Sequence, residues 1–317
     1  MKLIIQIPCH NEEEQLPETL ADLPREVEGF DTVEWMIIDD GSTDRTVEVA
    51  REHNVDHIVQ LTHNQGLARA FMAGVEAAVR LGADVIVNTD GDNQYQAKYI
   101  PDLTRPIVER RAQIVIGARP IASIAHFSYL KRKLQGLGSW VVRQASGTDV
   151  LDAPSGFRAI HRETAVRLYV FNRYTYTLET IIQAGRLGIP VESVPVGVND
   201  PTRDSRLMRS PAQYIRRSAA TIIRIGILYQ PVRLFSALAI VIALPGIFAF
   251  LRFLYLVSIG QGSGNIQSLV IGAALLAVGT ILAIGGILAD LIAANRTLLA
   301  ELRARQILSE SAKQNGK

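Results

Sequence analysis

Two stretches near the C-terminal end constrain this chain more than any other feature. Leu234–Leu251 carries no charged residue, Arg252 interrupts, and Phe253–Ala289 is again free of charge. A helix crossing a bilayer needs about 20 apolar residues at a rise of ~1.5 Å each. The first stretch reaches that length if Arg252 snorkels to the far interface, which extends the span to about Val257. Gly260–Asn265 reads as a tight polar loop, and Ile266–Ala289 is long enough for a second span. The expected layout is a helical hairpin with spans at 233–257 and 266–290 and a tail at 291–317. A buried pair of soluble helices is the alternative, but two adjacent runs this long and this free of charge are rare in soluble cores.

The flanks give an orientation. Arg216, Arg217, Arg224 and Arg233 precede the first span, Arg296, Arg303 and Arg305 follow the second, and the loop between has no Lys or Arg. The positive-inside rule then puts both termini in the cytoplasm of a two-span membrane protein. The apolar run at Leu3–Pro8 is too short for a signal peptide, and the lone Cys9 suits a reducing compartment. Ser210-Pro211 is a helix start, and Ile215, Ala219, Ile222, Gly226 and Tyr229 share one face at ~100° per residue. Residues 210–232 are therefore expected to form an amphipathic interfacial helix.

The overall charge of +2 hides a strong division. Residues 1–118 hold 10 Lys+Arg against 21 Asp+Glu, residues 119–233 hold 17 against 7, and residues 234–317 hold 6 against 3. An acidic first third is unlike a nucleic-acid binder. A basic middle beside a membrane anchor suits an anionic partner at a lipid surface.

Residues 1–118 alternate short β runs with helical patterns. Strands are expected at Leu3–Pro8, Trp35–Asp39, His57–Leu61, Val85–Thr89 and Ile114–Ala118, with helices near 13–23, 45–53, 67–81 and 98–110. This βα alternation predicts an α/β fold with a doubly wound, mostly parallel sheet. Ligands bind such sheets at the carboxyl ends of the strands. Three acidic runs follow strands there: Cys9-His10-Asn11-Glu12, Asp39-Asp40-Gly41-Ser42-Thr43-Asp44 and Asp90-Gly91-Asp92-Asn93-Gln94. Carboxylates do not bind phosphate directly. They can hold a nucleoside, or a hard cation such as Mg²⁺ or Mn²⁺ that in turn holds phosphates. Asp-Gly is also ordinary turn chemistry, so the argument rests on three such loops meeting at one edge. Neither a dinucleotide-binding glycine fingerprint nor a P-loop lysine is present. The six histidines show no metal-ligand spacing.

On these residues the chain resembles the family 2 glycosyltransferases of GT-A fold: Pro8-x-x-Asn11-Glu12, Asp39-Asp40-Gly41-Ser42-x-Asp44, Asn64-x-Gly66 and Asp90-x-Asp92. Asp152-x-x-Ser155-Gly156-Phe157-Arg158, Arg203 and two spans are similar to the dolichyl- or polyprenyl-phosphate sugar synthases. The resemblance implies a cytoplasmic catalytic domain over residues 1–209. It implies that Pro8, Asn11, Glu12, Asp40 and Asp90 line a nucleotide-sugar site, and that Asp90, Asp92 and Gln94 hold Mg²⁺ or Mn²⁺. Asp152 would be the acidic residue near the reacting centre, and Arg119, Arg132, Arg203 and Arg206 would meet the acceptor phosphate. It also implies a homo-oligomer assembled through the membrane helices. The chain departs from the family at Leu67-Ala68 (Lys-Gly in many relatives), at Gly136 (a frequent serine) and at Arg206 (a usual lysine).

The implied reaction moves a hexose from a donor of the UDP-glucose or GDP-mannose type to a polyprenyl or dolichyl phosphate, with inversion by single displacement. A phosphate with pKa₂ ~6 is already nucleophilic at pH 7, so no strong general base is required. Asp152 is then expected to orient the acceptor or an arginine, with a base role or an ion pair to Arg158 as alternatives. Tyr169, Phe171, Tyr174 and Tyr176 are open between core and headgroup region, and Glu179 is a candidate supporting partner. A metal-dependent nucleotidyl- or phosphotransferase, or a catalytically dead nucleotide-binding scaffold, are the competing readings of the same loops.

Overall fold

An interior strand of the sheet is β1 (Lys2–Cys9), in which every residue after Lys2 is buried. Such a continuous apolar run is what a strand covered on both faces requires. In a computed structural model the described residues are 1–120, 129–170, 176–199 and 229–315, together with 220, 224 and 227. β2 (Thr32–Asp39), β3 (His57–Gln60), β4 (Val85–Asn88), β5 (Ile114–Ala118), β6 (Arg158–His161) and β7 (Val191–Pro195) join β1 in one sheet of order β3-β2-β1-β4-β6-β5-β7. Around it lie α1 (Leu16–Asp22), α2 (Thr46–Glu52), α3 (Leu67–Arg80), α4 (Ile100–Val108), α5 (Tyr129–Ser146), α6 (Arg162–Arg167) and α7 (Thr177–Arg186). The five strands and four helices expected before residue 119 are all present.

β6 is the departure from a parallel sheet. It runs antiparallel to both of its neighbours, with Asn88 opposite Arg158 and Ile116 also opposite Arg158. Its first residues therefore lie at the edge where β4 and β5 end. Asp152–Phe157, which precede β6, are delivered to the same edge as the three acidic loops. Leu3, Ile5 and Ile7 of β1 pack with Leu16, Leu20 and Leu103 in the main core. Each such side chain contributes about 1.5–3 kcal/mol on burial.

The chain divides into two compact units, Met1–Ser218 with Ala300–Lys317, and Ala219–Leu299. The second contains α8 (Pro231–Ser258) and most of α9 (Ile266–Asn315). Both helices are long and apolar enough to cross a membrane, with mean hydropathy of 2.5 and 2.4 in their best windows. Only 11% and 17% of those windows are buried, which a soluble core pair would not show. The two helices meet through small residues. A methyl on Gly246 would lie 2.9 Å from Leu275, and one on Gly279 would lie 3.0 Å from Ala243. Close backbone approach of this kind is how helices associate in lipid. Arg252 donates to Ser268 Oγ at 3.4 Å across the hairpin.

α9 continues without a break past residue 290, and its last turns belong to the first unit. Arg303, one of the arginines that follow the second span, pairs with Glu76 of α3 at 2.9 Å and lies 5.0 Å from the Tyr169 ring. Ala304 and Ile307, buried one turn apart, face the same side, where Met72, Val75 and Val166 line a small cavity. Most of the proposed interfacial helix at 210–232 lies outside the described residues.

Candidate active site

The first two acidic loops are laced together. The Asn11 backbone amide donates to Ser42 Oγ at 3.0 Å, and the Asn11 side-chain oxygen accepts from the Thr43 amide at 2.8 Å. Asn11 holds a left-handed φ of 56°, which asparagine tolerates better than most residues. The Glu12 amide donates to Thr46 Oγ1 at 2.9 Å, and Asp44 accepts from the amides of Glu13 and Thr46. Burial would raise the Asp44 carboxyl. Its bonds to Thr46 and to the Glu13 amide outweigh that and hold it below the usual carboxylate range. Gly41 (φ 67°) turns where a methyl would lie 2.6 Å from the His63 backbone, so the loops after β2 and β3 can touch only with glycine here.

Asp40, a predicted nucleotide-site residue, is buried, and its two oxygens accept from the Gln65 and Gly66 amides at 2.7 and 2.8 Å. Its carboxylate pins the start of α3 to the end of β2. Pro8 lies beside it in register, paired with Ile38.

The Asp90–Gln94 turn differs. Asp92 accepts from the Gln94 amide at 3.2 Å, and Asn93 takes a left-handed φ of 52° and donates to Asp22 at 3.0 Å. The segment after β7 straps this turn from outside: the Asn199 amide donates to the Gln94 carbonyl at 2.9 Å and its side chain to the Asn93 carbonyl at 2.8 Å. Desolvation, then the Asp92 carboxylate, push Asp90 up to about 7, against the opposing pull of Arg119 and Arg158. A carboxyl whose proton affinity is raised by a neighbouring carboxylate is a fit for a divalent cation, which would relieve the repulsion. Among the described residues no group of three or more His, Cys, Asp or Glu is arranged to hold a metal alone. A two-carboxylate site suits an ion that completes its shell with phosphate oxygens and water.

On the other side of Asp90 lies a buried ion pair. Arg119 Nε donates to one Asp152 oxygen at 2.7 Å and Nη2 to the other at 3.1 Å, while the Arg119 backbone amide adds a third bond at 3.2 Å. Asp152 is fully buried and the Arg119 side chain is 10% exposed. Burial alone would lower Arg119. Tyr95 and the bonded Asp152 carboxylate reverse this and hold it above the usual guanidinium value. The bidentate fork fixes the plane of the guanidinium. Arg158 takes no part in this pair. It is wholly buried and donates to the Thr177 carbonyl, Thr180 Oγ1 and the Ser155 carbonyl.

Asp90 thus lies within electrostatic reach of both Asp92 and Arg119, and Arg119 is bonded to Asp152. Arg132 lies on α5 with its side chain outside what is described, and Arg203 and Arg206 lie outside the described residues. Tyr95 was missed. Its ring stacks on Phe157 at 5.1 Å, its hydroxyl accepts from the Gly156 amide at 3.1 Å, and the Arg119 guanidinium lies 5.9 Å from its centroid. Its place next to Gln94 was the available signal. Tyr176, left open between core and headgroup region, is a core residue with no exposed surface.

Residues 4–172 match the family described as Glycosyl transferase family 2. The chain belongs to that family. Among curated members it is 29% identical over 206 residues to the undecaprenyl-phosphate mannosyltransferase of Micrococcus luteus, covering 62% of this chain and 83% of the relative. It is 25% identical over 206 residues to the polyprenol monophosphomannose synthase of Mycolicibacterium smegmatis, covering 62% and 76%. The fold is similar to that of glucosyl-3-phosphoglycerate synthase from Mycobacterium tuberculosis, solved with Mn²⁺, UDP-glucose and phosphoglyceric acid. That match has a TM-score of 0.55 at 20% identity, over 71% of this chain and 79% of the other. The sheet is thus of GT-A type, and the protein is a glycosyltransferase.

Proposed function

We propose that this glycosyltransferase moves a hexose from a nucleoside-diphosphate sugar to the phosphate of a polyprenyl phosphate, with inversion, at a membrane. The names of the Micrococcus and Mycolicibacterium relatives favour mannose as the hexose. The observation that carries the reading is the juxtaposition of a carboxylate pair, Asp90 and Asp92, with a guanidinium, Arg119, whose orientation Asp152 fixes. Two anionic substrates need two different grips, and these residues supply both.

On the donor side, Asp90, Asp92 and Gln94 would hold Mg²⁺ or Mn²⁺, which when bound neutralises the departing nucleoside diphosphate. Pro8, near the end of β1, and Asn11 and Glu12, in the loop that follows, would line the nucleoside, and Asp40 supports them by anchoring Gln65 and Gly66. On the acceptor side, Arg119 meets a phosphate that carries about −1.5 to −2 charge at pH 7. That phosphate attacks the anomeric carbon without surrendering a proton, so the chain need supply only orientation and charge neutralisation. Both Asp152 oxygens are committed to Arg119, which supports an orienting role over a base. Arg132, Arg203 and Arg206 are proposed to extend the cationic grip.

The proposed anchor is the α8–α9 hairpin, with both ends cytoplasmic. The Arg303–Glu76 pair supports a common side for the two ends, since Glu76 belongs to the catalytic fold. The proposed boundaries are 1–209 for the catalytic domain, 210–232 for the interfacial region, and 233–257 and 266–290 for the spans, with assembly through those helices.

The test incubates the purified full chain with polyprenyl phosphate, Mg²⁺ or Mn²⁺ and a panel of UDP- and GDP-sugars. A lipid-linked hexose, identified by mass, is expected with one donor. No lipid-linked product across the panel would overturn the reading.

A further inference from the structure

Among the described residues nothing donates a hydrogen bond to the Asp90 carboxylate. Its orientation is instead set by a wall. A methyl built on Gly156 would lie 3.1 and 3.2 Å from the two Asp90 oxygens and 3.1 Å from the Tyr176 hydroxyl. The carboxylate, the Gly156 backbone and that hydroxyl therefore share one small volume. The Gly156 peptide is gripped at both ends. Its amide donates to Tyr95, and its carbonyl accepts from the Asn88 side chain at 3.0 Å and from the Tyr176 hydroxyl at 3.3 Å. Asn88 also donates to the Tyr176 hydroxyl at 2.8 Å, and its own oxygen accepts from Gln6 at 2.9 Å.

The network is held rigid from behind. The Tyr176 ring lies flat on Phe71, with centroids 3.8 Å apart and an interplanar angle of 5°. The Arg158 guanidinium lies 5.2 Å from the same centroid. Gln6, Asn88 and Tyr176 have 1% or less of their surface exposed. An apolar trio would fill this space without the cost of desolvating an amide pair and a hydroxyl. The polar groups do converge on one backbone unit, the unit against which Asp90 rests.

We propose that Tyr176, acting with Asn88, is a positioning residue for divalent-cation binding: it fixes the Gly156 wall that aims the Asp90 carboxylate. The inference rests on the reading of Asp90 and Asp92 as cation ligands. Groups that orient a ligating carboxylate typically change metal affinity by ~10–100-fold when removed.

Tyr176→Phe removes the hydroxyl and keeps the stack on Phe71. Binding of Mn²⁺ alone to the full-length protein in detergent, followed by electron paramagnetic resonance of free Mn²⁺, is expected to weaken about tenfold, the low end of that range. The metal-free Tm is expected to fall by no more than about 8 °C, the shift two lost hydrogen bonds give in a domain of this size. Gly156→Ala, which sets a methyl against the Asp90 oxygens, is expected to weaken Mn²⁺ binding as well, and it carries the test if Tyr176→Phe does not fold. Unchanged Mn²⁺ affinity in the folded variant, or a loss seen only with a collapse in Tm, overturns the inference. Failure of the wild-type protein to bind Mn²⁺ either alone or with a nucleoside diphosphate present overturns the cation reading itself and this inference with it.

Discussion

Asp40 and Asp90 sit at the ends of neighbouring regions of one sheet, yet their surroundings are opposite. Asp40 is saturated: two backbone amides fill its oxygens, and the loops around it are tied by five further side-chain bonds. Among the described residues Asp90 has no such donor, and its carboxyl is pushed up to about 7 by desolvation and by Asp92. The first region is finished without a ligand, and the proposed cation would complete the second. Asp40 is buried and Asp90 only half-buried. Their hydrogen-bond partners separate scaffold from binding group.

The sharpest break in that comparison is the loss of charge at the unfinished region. Asp90→Asn or Asp92→Asn should lower kcat/KM for transfer by about 10³-fold or more, since developing charge on the leaving diphosphate loses its counterion. Steady-state kinetics with saturating Mn²⁺ reads this. The next effect is at the ion pair. Asp152→Asn keeps the shape but frees the guanidinium, and kcat should fall about 10²-fold. The pH–rate profile should keep all its ionisations. Disappearance of one would make Asp152 a base.

The finished region should respond in stability first. Asp40→Asn leaves one backbone amide facing an amide nitrogen, at a cost of about 1–3 kcal/mol, read as a lower Tm. The pH dependence then distinguishes the two regions. A carboxyl raised from 3.8 to about 7 keeps its proton in the folded state where the unfolded chain has lost it. The metal-free protein therefore loses stability through Asp90 as pH rises from ~4 to ~7. Mn²⁺ must displace that proton, so its affinity should fall by up to ~10-fold per pH unit below 7. Asp44, held below its usual range, acts in the other direction and withdraws stability only as pH falls through its own titration. Arg303→Ala should have the smallest effect. Its pair with Glu76 is about one-third exposed at both ends, and such contacts contribute ~0–1 kcal/mol.

Much of the sheet was legible because strands buried on both faces leave uninterrupted apolar runs, as in Leu3–Pro8 and Trp35–Asp39. β6 was not. Arg158–His161 is four residues long and begins with a buried arginine, so it carries neither the length nor the alternation of a strand. Asp90, Asp92, Asp152 and Arg119 could be picked out as residues, but the partnership of the last two joins positions 33 apart in the chain, and no local pattern encodes it. Asp152 pairs with Arg119 and not with Arg158, its nearer neighbour in sequence. Asn88 and Tyr176 gave no signal, because one asparagine at a strand end and one tyrosine before a helix look like any others until the sheet brings them together. The histidines behave as ordinary structural groups where their partners are seen: His57 contacts Glu34 at 2.7 Å, and His53 the Val49 carbonyl at 2.9 Å.

The reversed strand has one more consequence. Because β6 is laced to β4 by backbone pairing from Asn88–Arg158 to Val85–His161, the spacing between the Asp90 turn and the Gly156 segment is ruled by a ladder of peptide groups. The length of chain wandering between residues 120 and 150 has no say in it. Relatives could lengthen, shorten or replace that excursion to suit a different acceptor while the reacting groups stay in step. The fold thus keeps the gauge of these groups in the backbone.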